Sequence, residues 1–165
     1  MDKKISTVCF TGHRDINKSI AVYIPSELKR VIKALILRGA RSFRAGGAMG
    51  FDTVAALCIL ELKEEYPDIT LDLILPCRDQ TNGWNNDNKR AYDYILSMAD
   101  SVKYVTDTYY AGCMQKRNRA LVDGSDVCVA YLERASGGSA YTYTFAVKSD
   151  LEVINIFDEI KKRIR

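Results

Sequence analysis

The chain has 165 residues, 47% hydrophobic and 27% charged, with a formal charge of +3. That length and balance suit one soluble globular domain able to bury a sizeable core. They argue against a membrane protein, since no apolar run approaches the roughly 20 residues a spanning helix needs, and they lack the basic footprint of a dedicated nucleic-acid binder. Met1 to Ile5 leads straight into a strand-like run, without the long apolar stretch and cleavage site of a signal peptide, so a cytoplasmic location is expected. The five cysteines, Cys9, Cys58, Cys77, Cys113 and Cys128, are odd in number and form no Cys-x-x-Cys pair. A disulfide framework is not expected, and with one histidine neither is a structural zinc. Cys77 and Cys113 fall in expected loops, where a thiol would be open to reaction.

The pattern alternates strand and helix from end to end. Ile5 to Phe10 reads as a first strand, followed by the polar loop Thr11-Gly12-His13-Arg14-Asp15. Pro25 opens a helix in which Leu28, Val31, Ile32, Leu35 and Ile36 recur on one face, and Gly39 stops it. Ser42 to Ala45 is a second strand, leading through a glycine-rich turn into a helix from Asp52 to about Tyr66, ended by Pro67. Ile69 to Leu75 is a third strand and Cys77 to Gly83 a polar loop. A helix from Asn85 to Ala99 and a strand from Val102 to Val105 follow. Met114 to Val122 reads as helix and Val127 to Leu132 as strand. The loop Ala135 to Ser139 precedes a helix through Lys148. Val153 to Phe157 is a sixth strand, before a short basic helix whose cations complement the negative end of its dipole. Six strands with intervening helices predict a Rossmann-like, doubly wound, mostly parallel sheet covered on both faces, in a single domain spanning 1–165.

In such a sheet ligands bind beyond the carboxyl ends of the strands, so the polar loops are the places to look. Gly46-Gly47-Ala48-Met49-Gly50-Phe51-Asp52 is a strand-to-helix turn whose glycines would let the backbone approach a phosphate at a helix N-terminus. It is neither the Gly-x-Gly-x-x-Gly fingerprint nor a Walker loop, and a plain tight turn with Asp52 as a helix-start acid fits it equally well. In Thr11-Gly12-His13-Arg14, Arg14 could pair with phosphate. His13 is the sole imidazole, so any imidazole acid–base role falls to it; the alternative is a histidine that hydrogen-bonds backbone. Ser136-Gly137-Gly138-Ser139 repeats the glycine-turn theme. Cys113 to Arg119 places Lys116, Arg117 and Arg119 at a helix start, as an anion clamp or as a solvated basic face. Trp84 and the Tyr109-Tyr110 pair either stack on a base or pack in the core.

Taken in order, Thr11-Gly12-His13-Arg14, the Gly46 to Asp52 turn, Leu75-Pro76-Cys77-Arg78-Asp79-Gln80-Thr81-Asn82-Gly83-Trp84, the Tyr110 to Asp126 region and Ser136-Gly137-Gly138 resemble the YpsA-like family of the SLOG superfamily. The superfamily also holds the DNA-processing protein DprA/Smf and the LOG phosphoribohydrolases. The resemblance covers nearly the whole chain. It implies a Rossmann-like fold and a nucleotide or ADP-ribose-like ligand, but no established activity; a homodimer is implied by the superfamily alone. The leading expectation is a binding or sensing domain in which Gly12, His13, Arg14, Gly46, Gly47, Gly50, Asp52, Gly137, Gly138 and Ser139 surround the ligand and Arg117 neutralises its charge. The alternative is LOG-like hydrolysis of a nucleotide. Arg117 matches the arginine of the LOG Met-x-x-Arg-Lys segment, but the segment after Ser136 lacks the LOG glutamate, so Asp52 or Asp79 would have to serve. DprA-like binding of single-stranded DNA is a further alternative, less favoured because no aromatic–basic stripe stands out in the sequence.

Overall fold

The computed structural model describes residues 4–134 and 138–164. Six strands form one parallel sheet: β1 (Thr7–Gly12), β2 (Ser42–Ala45), β3 (Thr70–Leu75), β4 (Ser101–Tyr104), β5 (Val127–Tyr131) and β6 (Glu152–Asn155), in the order β4-β3-β2-β1-β5-β6. The helices are α1 (Lys18–Ala21), α2 (Ile24–Leu37), α3 (Phe51–Leu62), α4 (Asn86–Met98), α5 (Cys113–Val122), α6 (Gly138–Lys148) and α7 (Ile156–Arg163). Strands buried on both faces read as continuous apolar runs, and every residue of β5, Val-Cys-Val-Ala-Tyr, is buried.

Alternation within the strands divides the core. Val8, Phe10, Phe43, Leu71, Leu73, Val127, Val129 and Tyr131 face the larger cluster, which α2, α3, α4 and α7 cover. Cys9, Ile74, Cys128 and Ala130 face a smaller one, closed by Leu121 and Val122 of α5 and Ala146 of α6. On this second face the sheet is covered only in part. Ser42, Arg44, Asp72, Ser101 and Lys103 line an open cleft over β2, β3 and β4. There Asp72 accepts hydrogen bonds from the hydroxyls of Ser42, Thr70 and Ser101 at 2.6–2.7 Å.

The strand–helix alternation is as expected, with local differences. β1 runs on through Thr11 and Gly12, because these pair in register with Ala130 and Tyr131 of β5. The short helix α1 was not anticipated; Asn17 caps it, its Oδ1 accepting from the Ser19 N–H at 2.9 Å. α3 ends at Leu62, one turn earlier than read, as the chain prepares for Pro67. The last apolar run is divided: β6 stops at Asn155, and Ile156 and Phe157 belong to α7. Asn155 makes that break, its Oδ1 accepting from the Phe157 N–H at 3.1 Å while its Nδ2 donates to the Leu132 carbonyl at 3.0 Å. Cys113 begins a helix rather than lying in a loop, and all five thiols are buried and unpaired. Burial pushes the Cys77 thiol up to about 11, so neither its place nor its acidity suits a reactive thiol. Trp84 packs against the core, edge-on to Tyr92 at 5.6 Å. Among the described residues no helix is long and apolar enough to cross a membrane.

Candidate functional site

The strand order reverses at β1. From β1 the chain steps outward through β2 and β3 to β4, then returns to set β5 on the other side of β1. Crevices open at such a reversal, beyond the carboxyl ends of the two strands. A cleft of about 390 Å³ lies there. Thr11, Gly12 and His13 at the end of β1 line it, with Arg14 and Asp15 just beyond; Ala48 and Asp52 come from the β2–α3 turn. Met114, Arg117, Asn118 and Leu121 of α5 form one wall, and Arg134, Gly138 and Ser139 approach from the β5–α6 connection.

Of the residues expected around a ligand, Gly12, His13, Arg14, Asp52, Arg117, Gly138 and Ser139 line this cleft. Gly46, Gly47 and Gly50 are not among its lining, and the packing explains why they are glycines. A Cβ on Gly46 would meet the Arg117 guanidinium at 2.7 Å, and one on Gly50, at φ +79°, would enter the Arg14 backbone. Gly47, at φ +74°, would bring a Cβ to 2.5 Å from Leu75. Gly137 lies outside the described residues. Of the two carboxylates considered for catalysis, Asp52 lines the cleft, whereas Asp79 accepts from the Tyr109 N–H at 3.1 Å outside it. Of the three cations expected on α5, only Arg117 turns inward; Lys116 and Arg119 are exposed.

Two buried charges dominate the site. Arg117 is 5% exposed; its Nε donates to Asn118 Oδ1 at 2.8 Å and its Nη1 to the Gly46 carbonyl. The glycine turn therefore serves as a backbone socket for this arginine. Asp52, also 5% exposed, accepts from the Ala48 N–H at 3.2 Å. Burial raises its carboxyl to about 6, against the opposing pull of Arg117, the Ala48 N–H and Arg14. Arg14, Arg117 and Arg134 thus oppose two carboxyls, one of which takes up a proton close to neutrality.

His13 is an architectural link. Its Nε2 accepts from the Glu133 N–H at 3.0 Å, its N–H donates to the Tyr131 carbonyl at 3.2 Å, and its carbonyl accepts from the Phe51 N–H at 3.1 Å. An accepting Nε2 places the proton of the neutral ring on Nδ1. Burial holds its pKa below the ordinary histidine value. Sequence reasoning missed Arg134, which stands one residue before the small-residue loop that drew attention. It also missed Asn118, whose neighbour Arg117 carried the signal, and the apolar lining from Ala48, Met114 and Leu121.

A model of the YspA SLOG family matches residues 8–158. The chain belongs to that family. Relatives include UPF0398 proteins of Bacillus pumilus, 35% identical over 71% of this chain and 64% of that protein, and of Bacillus thuringiensis, 31% identical over 80% and 73%. The chain thus spans just under two thirds of the length of the B. pumilus relative. Among solved structures this SLOG chain is similar in fold to DNA processing protein A (DprA) from Streptococcus pneumoniae, with a TM-score of 0.65 at 18% identity over 91% of this chain and 50% of that one. DprA from Helicobacter pylori, whose structure is described for its single-stranded DNA binding mode, gives 0.57 at 18% identity over 98% and 81%.

Proposed function

We propose that the cleft at the β1–β5 reversal binds the phosphate portion of a nucleotide or nucleotide-derived ligand, ADP-ribose-like molecules included. The observation that carries this reading is Arg117, a guanidinium buried in the cleft wall and held by a backbone carbonyl and an amide. Arg14 and Arg134 add exposed charge at the rim, and Ala48, Met114 and Leu121 supply apolar surface for a sugar or base. At about 390 Å³ the volume suits a small ligand. Turnover, if the site has any, falls to Asp52, the buried carboxyl of this cleft.

Thermal shift against AMP, ADP, NAD and ADP-ribose tests the reading. A ligand at about 100 times its dissociation constant stabilises the fold by about 2.7 kcal/mol. Arg14→Gln, at an exposed position, is expected to abolish the shift while leaving the Tm of the free protein unchanged. A flat panel with folded protein would refute the proposal, and release of free base from a binding nucleotide would turn it into an enzymatic one.

A second reading is that the protein binds single-stranded DNA, favoured by the likeness in fold to DprA from H. pylori and its described binding mode. The modest charge of +3 does not weigh against it, because what matters is where the cations lie. The two readings stand level, and both rest on recognition of phosphate.

A further inference from the structure

Helix α5 presents different chemistry on its two sides. Inward it offers Arg117 to the cleft. Outward it faces the edge strand β4 across a groove of about 750 Å³, lined among others by Lys103, Tyr104, Tyr110, Lys116, Arg119 and Asp123. Lys116 and Arg119 stand three residues apart and so share one face of the helix, and Lys103 confronts them from β4. None of these three side chains takes part in an ion pair or hydrogen bond among the described residues. Three bare cations therefore face a single carboxylate, Asp123.

The same groove carries aromatic surface, from Tyr104 and Tyr110. Tyr110 is 45% exposed and Tyr109 beside it 61%. Their loop is pinned at several points. The Arg78 N–H donates to the Asp107 carbonyl at 3.0 Å, the Tyr109 N–H to Asp79 at 3.1 Å, and the Cys113 N–H to the Tyr110 carbonyl at 3.1 Å. Beside them the Arg78 guanidinium lies over the Tyr104 ring, 4.2 Å from its centroid. A positive groove with exposed aromatic rings is the physical recipe for a single strand: cations follow the backbone and rings stack on unpaired bases.

We propose that this groove binds single-stranded nucleic acid, with Lys103, Lys116 and Arg119 taking phosphates and Tyr110 stacking on a base. The proposal rests on the nucleic-acid reading above and adds the surface that serves it, on the opposite side of α5 from the nucleotide cleft. An acidic peptide would meet the cations but has no use for the rings.

Fluorescence anisotropy of a labelled oligothymidylate about 10 nucleotides long tests it across a salt series. In the triple variant Lys103→Gln, Lys116→Gln, Arg119→Gln, the slope of log affinity against log salt is expected to flatten by about 2, weakening binding about 100-fold at about 0.1 M salt. Tyr110→Ala is expected to bind about tenfold more weakly with its slope unchanged, since stacking releases no counterions. The triple variant is expected to keep its Tm and any nucleotide-dependent shift of the cleft. Full affinity in the triple variant, with loss in Arg14→Gln, would place the strand in the cleft and overturn the groove alone. Absence of binding by the unmodified protein would overturn the nucleic-acid reading together with the groove and leave the nucleotide cleft standing. Equal displacement of the probe by polyglutamate and by unlabelled oligothymidylate would make the groove a site for acidic peptides and refute the proposal.

Discussion

Asp52→Asn keeps the shape of the carboxyl in the cleft wall and removes its ionisation. Burial lifts that carboxyl from an ordinary 3.8 to about 6. The folded protein therefore holds the proton more tightly than the unfolded chain. Below the ordinary value both states are protonated and the full contribution of the site to stability is present. As pH rises through the interval up to about 6, the folded state must ionise a group that burial opposes, and stability declines. A rise from 3.8 to about 6, at about 1.4 kcal/mol per pH unit, corresponds to about 3 kcal/mol. Asparagine cannot titrate, and the groups on which the Asp52 charge acts, Arg117 and Cys128, do not titrate in this interval. The stability of the unmodified protein minus that of the variant is thus expected to fall by about 2.5 kcal/mol between about pH 4 and about pH 7, the rest of the change lying below about pH 4. Urea unfolding at closely spaced pH values measures this difference directly. A difference that stays flat across the window would show that Asp52 ionises as readily in the fold as in water, and the reasoning from burial would fail.

The same linkage extends to binding. An anion in the cleft favours the protonated form of Asp52, so ADP-ribose, whose pyrophosphate keeps a constant charge, is expected to bind more tightly as pH falls through about 6. Asp52→Asn is expected to remove that dependence; calorimetric titration at two pH values checks it, and an unchanged pH profile in the variant would sink the idea. The glycines differ in kind. Gly50→Ala is expected to destabilise by about 2–5 kcal/mol, because positive φ adds strain to a clash with the Arg14 backbone. Gly83→Ala, also at positive φ but with open space around it, is expected to cost only about 1–2 kcal/mol. Equal losses in denaturant unfolding would contradict the packing account.

The architecture was readable because the helices and strands obey their own periods. α2 buries Leu28, Val31, Ile32, Leu35 and Ile36 on one stripe, and β5 is apolar throughout because both its faces are covered. Boundaries were harder where one side chain decides them. The run Val153 to Phe157 is apolar apart from Asn155, and it is the side-chain bonds of Asn155, with the Phe157 N–H and with Leu132, that end the strand. In the cleft, Arg14, Asp52 and Arg117 announced themselves because their charges stand within or beside the glycine turns and the basic helix start, whereas Arg134 stands just outside the small-residue loop. The glycines of the β2–α3 turn read as ligand contacts from local pattern, while their demand for space comes from Arg117, Leu75 and Arg14, far away in sequence. Three-dimensional closeness of that kind leaves no periodic trace. The cationic groove was hidden likewise, since Lys103 joins Lys116 and Arg119 only once β4 takes the sheet edge.

The place of β1 at the turning point of the sheet has a consequence for assembly during synthesis. Association of β1, β2, β3 and β4, each with its neighbour, needs only residues up to Tyr104, whereas pairing of β1 with β5 joins Val8 to Val127 and Gly12 to Tyr131, across some of the longest chain separations in the sheet. Closing so long a loop is slow relative to local contacts. As the chain emerges from the ribosome, four strands can associate while the β1 edge waits for its second neighbour. The cleft, whose walls come from α5 and the β5–α6 connection, is completed last. Cys9 and the β1 edge lie bare during that interval, a template for pairing with another chain, and the cleft exists only once that edge has been sealed.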